Sequence, residues 1–223
     1  MKRADLKQCF KIDMHVHSIY SRDAFTEPRV AIRYALKKGL NGIAITDHCS
    51  VKGGILAKKY SSNKIVVIPG IEVKSPYGHF LLLNIEKPPA KLVSIFEIFE
   101  WCRLQGGLVV LAHPYSMFPP IRGLNKVVRY VDAVEIVNSN SFFLRRSVKQ
   151  ALRLAQRNKL GKTGGSDSHI PQTIGLAYTI LDDYPSSVDD ILTYVKRGKC
   201  KIHCGKISLH NRILRLAKRV SRF

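Results

Sequence analysis

The stretch KIDMHVHS sets His15 and His17 two residues apart. Read as a strand, it turns Asp13, His15 and His17 to one face and Ile12, Met14 and Val16 to the other. A strand rarely gives three same-face positions to titratable groups unless they do chemistry. The same residue types recur in short signatures: His48 in TDHC, His79 in YGHF, His113 in AHP and His169 in GSDSH. Carboxylates accompany them, Asp23 in YSRDAF, Glu72 in GIEV and Asp167 beside His169. Imidazole with carboxylate suits zinc, manganese or iron, and the nitrogens are too many for a calcium or magnesium cage. A catalytic zinc takes about three protein groups, so this many ligands implies a cluster of two or three divalent ions. Cys49 follows His48 directly and reads as a packed loop residue, not a nucleophile.

The elements that position these groups alternate along the chain. Strands are expected at KIDMHV, GIAIT, KIVVIP, HFLLLN, LVVLA, AVEIV, KTGG and AYTIL, and helices near Glu27–Lys38, Ile55–Ser61, Ala90–Leu104, Phe143–Asn158 and Ser187–Arg197. Gly39 and Gly198 stand where C-terminal caps belong. Strand–helix alternation with apolar strands argues for a parallel sheet covered by helices. His48, Glu72, His113, Asn138 and Asp167 each fall just past the end of an expected strand. Active sites built from several strand ends belong to (β/α) barrels, whereas an open doubly wound sheet binds at a single crevice. No linker splits the chain, which reads as one domain over residues 1–223 with a basic helix at about 208–222.

Charge is the outlying bulk property. Thirty-seven Lys and Arg against sixteen Asp and Glu leave a net +21, too unbalanced for ion-pair networks and suited to polyanions. The 45% apolar content is ordinary, and no apolar run is long enough to span a membrane. With no signal-peptide pattern and five scattered cysteines, a reducing cytoplasm is the expected compartment. Cys200, His203 and Cys204 in CKIHC lack a second cysteine pair and read as strand residues.

Taken in order from Ile12 to about Leu181, these signatures resemble the polymerase-and-histidinol-phosphatase (PHP) family of metal-dependent phosphoesterases. The resemblance implies a distorted, TIM-like (β/α)7 barrel, with HFLLLN as an accessory strand. It implies one ion held by His15, His17, Glu72 and Asp167, and a second that shares Glu72 and is completed by His79 and His113. A third would be held by Asp23, His48 and His169. Asp13 and Asp47 are expected to orient histidine rings. The implied chemistry is hydrolysis of phosphate monoesters or short nucleic-acid ends by metal-activated water.

Arg22, Lys74 and Arg145 are candidates to grip a non-scissile phosphate. Some similar enzymes, nucleoside-bisphosphate phosphatases and short-RNA exonucleases, carry an insert that covers the site. Only 33 residues separate His79 from His113 here, so an open site is expected. In the C-terminal helix Leu209, Ile213, Leu216 and Val220 recur at helical spacing beside Arg212, Arg215 and Arg219. Such a helix docks on the barrel and shows its basic face, or tracks a phosphate backbone; a membrane surface ranks last. Two rivals remain: a non-catalytic barrel that binds RNA or DNA, and a sugar- or histidinol-type phosphatase. The ligand set favours an enzyme, and the charge favours a polyanion over one small metabolite.

Overall fold

The computed structural model describes residues 9–89, 94–116 and 123–221. The strands are β1 (Phe10–Val16), β2 (Gly42–His48), β3 (Val66–Ser75), β4 (Gly78–Leu83), β5 (Leu108–Ala112), β6 (Ala133–Asn138), β7 (Gly161–Gly165), β8 (Tyr178–Leu181) and β9 (Lys201–His203). The helices are α1 (Pro28–Lys37), α2 (Lys52–Lys58), α3 (Ile95–Leu104), α4 (Leu124–Val127), α5 (Leu144–Arg157), α6 (Val188–Lys196) and α7 (Leu209–Val220). Among the described residues, the nine strands join one sheet in the order β7-β6-β5-β4-β3-β2-β1-β8-β9.

The ends of that sheet meet. Asp167 N donates to His15 O at 2.8 Å and His17 N to Ser168 O at 2.9 Å, so the exit of β7 lies alongside the end of β1. Near the start of β1 the antiparallel strand β8 takes that place, and Thr179 Oγ1 accepts from Gly164 N. The result is the expected distorted barrel. Gly165 makes the close approach possible, because a Cβ there would sit 2.4 Å from the Cβ of His15.

Four expectations need correction. The sheet is mixed, since β4 runs antiparallel to both β3 and β5. HFLLLN is therefore an integral strand between them and not an accessory one. Its hairpin with β3 also lengthens β3, which puts Glu72 inside that strand. His48 and Asn138 likewise end their strands instead of following them. The strict alternation in β1 fails because its ladder with β2 shifts register between Asp13 and Val16. Ile12 and Met14 join the apolar cluster of Ala44, Ile68 and Val110, while Val16 packs with Ile43 and Ile45 against α1.

Helix limits follow local chemistry. Glu27 and Lys38, Phe143 and Asn158, and Ser187 and Arg197 are the caps of α1, α5 and α6. Helix α3 begins at Ser94 with a capping box closed by Glu97, and the expected start at Ala90 lies outside the described residues. Helix α2 begins three residues earlier than its sequence indicates. Phe99 of α3 packs edge-on against Phe80 of β4 with ring centroids 4.7 Å apart, and both are fully buried. Each such side chain contributes on the order of 2–3 kcal/mol of burial. Among the described residues no helix is long and apolar enough to cross a membrane.

Helix α7 docks the other way round from expectation. It buries no residue, and its apolar stripe faces water, with Leu209, Ile213, Leu216 and Val220 exposed by 73%, 58%, 60% and 77%. Asn211, Leu214, Arg215 and Lys218 face inward, each half-buried.

Candidate metal centre

All nine predicted ligands converge at one rim of the barrel. His15 and His17 come from the end of β1, Asp23 from the β1–α1 loop, His48 from β2, Glu72 from β3 and His79 from β4. His113 follows β5, and Asp167 and His169 follow β7. Two of them reach the site through left-handed backbone: His113 has φ 31° and Asp167 φ 51°, and Cys49, beside His48, has φ 55°. A non-glycine residue pays for that conformation, and here the strain lies where strand ends must turn sharply.

Glu72 stands at the centre, 2% exposed. Its Oε2 lies 3.3 Å from His15 Nε2, 3.2 Å from His17 Nε2 and 3.2 Å from His48 Nδ1. Its Oε1 lies 2.8 Å from His79 Nδ1 and 3.2 Å from His113 Nε2. Asp167 Oδ1 is 3.2 Å from His17 Nε2 and 3.7 Å from His15 Nε2. On the far side Asp23 Oδ2 is 2.9 Å from His169 Nε2, and Asp23 Oδ1 is 3.7 Å from His48 Nε2. Three groups of donors close enough to share an ion occur among the described residues: His15–His17–Asp167, His15–Glu72–His113 and His17–His48–His169.

The tautomers of the two central rings can be deduced. His15 Nδ1 lies 3.0 Å from a Glu135 carboxylate oxygen, which can only accept, so that nitrogen carries the proton. Ser21 Oγ donates to Asp47 at 2.8 Å, leaving it to accept from His17 Nδ1 at 3.1 Å. Both Nε2 lone pairs then face each other across 3.0 Å, beside Glu72 and Asp167. Such a meeting of lone pairs and carboxylates needs positive charge between them. A tetrahedral ion with bonds of about 2.0–2.2 Å sets its donors about 3.3–3.6 Å apart, close to the spacing here. Asp23 Oδ1, buried and 3.7 Å from His48 Nε2, makes no hydrogen bond and is a further donor for an ion. The donor set fits transition-metal ions.

The electrostatics express the same demand. Burial pulls the His15 and His17 imidazoliums down, yet the carboxylates prevail. Glu135, Asp167 and Glu72 hold His15 well above its ordinary range, and Asp167 and Glu72 lift His17 to about 9. Burial pushes Glu72 and Asp167 up, and the histidines, His15 foremost, hold both well below the usual carboxylate range. His48 and His169 are the exceptions: burial and His17 push His48 down to about 4 and lower His169 as well. Protons compensate the carboxylates when no cation does, so metal loading should release them.

Of the supporting residues, Asn138 stands out in the sequence by its strand-end position, whereas Glu135 and Asn140 do not. Glu135 accepts from His15 Nδ1, from the His113 amide at 2.8 Å and from Asn138 Nδ2 at 3.1 Å. Asn138 and Asn140 each donate to Asp167 Oδ2 at 3.3 Å. Of the two expected ring-orienting aspartates, Asp47 acts on His17 through Ser21. Asp13 instead takes backbone amides, from His15, Ser166 and Gly175, and fixes the bulge.

Among the expected phosphate grips, Arg22, Lys74 and Arg145 are all exposed, and Lys74 lies two residues along β3 from Glu72. An arginine that does reach the cluster is Arg215 of α7, whose Nη2 donates to Asp23 Oδ2 at 3.1 Å. The CKIHC segment contributes to β9, where His203 stacks on Tyr178.

Comparison with known proteins gives a consistent result. The family described as PHP-associated matches residues 145–200. The uncharacterized protein MJ1587 of Methanocaldococcus jannaschii is 32% identical over 140 residues, spanning 58% of this chain and 82% of that protein. Among solved structures, a two-domain protein from Bacteroides vulgatus containing a predicted PHP-like metal-dependent phosphoesterase superposes with a TM-score of 0.76. That match has 18% identity and covers 95% of this chain and 70% of the other. Endonuclease Q, in complex with a duplex bearing an abasic lesion at its active site, superposes with a TM-score of 0.64 at 19% identity. It covers 85% of this chain and 57% of the endonuclease.

Proposed function

This chain belongs to the PHP family, and from that premise we propose that it is a metal-dependent phosphoesterase acting on phosphate monoesters or nucleic-acid ends. The observation that carries the reading is the convergence of six imidazoles and two further carboxylates, Asp23 and Asp167, around Glu72. In this proposal His15, His17, Glu72 and Asp167 hold one ion, and Glu72, His79 and His113 a second. Asp23, His48 and His169 hold the third. Divalent ions supply the charge that brings a water near neutrality into play as a nucleophile and neutralises phosphate oxygens. The chain's own work is to fix donors. Glu135 and Ser21 set the ring tautomers, Asn138 and Asn140 hold Asp167, and the strained turns at His113 and Asp167 aim the remaining groups.

The test is direct. Protein refolded with manganese, zinc or iron should carry two or three ions per chain by mass spectrometry and should hydrolyse members of a monoester and oligonucleotide panel. Fewer than one ion per chain would remove the basis of the reading.

Nucleic acid as substrate draws on a further observation. Helix α5 exposes Arg145, Arg146, Lys149 and Arg153, and no acid lies between residues 136 and 166. If these residues contact phosphates, oligonucleotide binding should weaken steeply with salt. Replacing all four by Gln should then flatten the log–log slope by roughly 0.7 per lost contact on a single strand. An unchanged slope would favour a small phosphorylated metabolite.

A further inference from the structure

The orientation of α7 runs against the hydrophobic effect. Burying Leu209, Ile213, Leu216 and Val220 would have been the favourable way to dock this helix, yet all four face water. Leu214 apart, what the helix turns inward is polar. Arg212 Nη2 donates to the carbonyls of Asn140 and Ser141 at 2.9 and 3.3 Å, and its guanidinium lies 4.4 Å from the ring centroid of Phe142. One turn on, Arg215 binds Asp23. The helix therefore straddles the rim from the β6–α5 loop, whose Asn140 touches Asp167, to the β1–α1 loop, which carries Asp23. Beyond Arg215, Lys218 and Ser221 join Ile19, Ala24 and Phe25 in lining a cleft of about 370 Å³ beside Asp23.

Arg215 is poorly explained as a counter-ion of Asp23 alone. Asp23 Oδ2 also lies 2.9 Å from His169 Nε2, so the guanidinium shares its carboxylate oxygen with a proposed metal ligand. If Asp23 is drawn into an ion's coordination, Arg215 is left half-buried next to the cluster with its charge largely uncompensated. A guanidinium in that position is an anion grip, and its planar fork of donors matches phosphoryl oxygens.

We propose that α7 forms a wall of the substrate site. Arg215 binds a phosphoryl oxygen of the ester, and the cleft between α7 and the β1–α1 loop receives the leaving group. Ile19 and Phe25 give that cleft an apolar side, and Lys218 gives it a cation. The ester class that fits has a leaving group with an apolar face and a second negative charge. This inference rests on the phosphoesterase reading, and α7 does here the covering work that an insert between His79 and His113 would otherwise do.

The experiment uses full-length, metal-loaded protein with ions per chain measured in every variant. Inorganic phosphate binding is followed by calorimetry for wild type, R215K and R215Q. R215Q should weaken phosphate binding at least about 10-fold, the effect of losing one charge-assisted hydrogen bond, and R215K should recover part of it. In kinetics, K218Q should raise KM for 4-carboxyphenyl phosphate more than for phenyl phosphate. Phosphate binding by R215Q equal to wild type would overturn the proposal, and so would tighter metal binding as its sole change, since Arg215 would then be only a counter-ion. Equal KM effects of K218Q on the two esters would overturn the leaving-group cleft. Failure of the phosphoesterase reading looks different: wild-type protein itself would bind metal and phosphate yet hydrolyse no ester.

Discussion

Glu72→Ala is expected to lower metal content and to cut hydrolysis at least ~10²-fold, a loss of about 2.7 kcal/mol in transition-state stabilisation. The size follows from how many partners meet on one carboxylate. Its two oxygens lie within 3.3 Å of five imidazole nitrogens, from His15, His17, His48, His79 and His113. Removing it deletes a ligand proposed to serve two ions and also strips the histidines of the anion they surround. Glu72→Gln separates these effects, since it keeps the volume and one acceptor oxygen while removing the charge. If charge is what matters, Gln should behave nearly as badly as Ala. Metal content by mass spectrometry and kcat/KM on a monoester give the answer. Wild-type turnover in either variant would sink the bridging role.

The residue types of the site could be read along the chain because ligation restricts chemistry. Imidazoles and carboxylates at strand ends have few other uses in such number, and the order of their signatures identified the barrel. Less legible was anything that depends on a contact across the fold. Nothing local marks the register shift at Asp13, so the period-two pattern there misassigned a face. Glu135 sits in AVEIV, an otherwise apolar strand, and its single acid is the one hint that the strand borders a polar site. The β3–β4 hairpin was hidden because antiparallel and parallel buried strands have the same apolar look. Amphipathic spacing in α7 shows two faces but not which one docks. The contact that decides it, Arg215 with Asp23, spans 192 positions. The basic stripe expected on the outside thus turns, in part, toward the ligand cluster.

Glu135 leads to the second large effect, because it points no oxygen at the proposed ions yet governs two of their ligands. Oε1 accepts from His15 Nδ1 at 3.0 Å, and Oε2 accepts from the His113 amide at 2.8 Å. Glu135→Gln keeps the shape and swaps one acceptor for an NH2 group. That group must face the His15 ring proton or the His113 amide, donor against donor, at a buried position. The cheapest relief moves the His15 proton from Nδ1 to Nε2, which removes the lone pair aimed at the cluster. Metal affinity should therefore fall 10–100-fold, the usual cost of losing a carboxylate behind a ligating histidine. Every ligand remains in place, so excess metal should restore most of the activity, which it should not do for Glu72→Ala. A chelator competition gives the affinity, and ring-nitrogen NMR of His15 reports the tautomer. Unchanged affinity, or a His15 proton still on Nδ1, would show that Glu135 serves packing and the His113 turn alone.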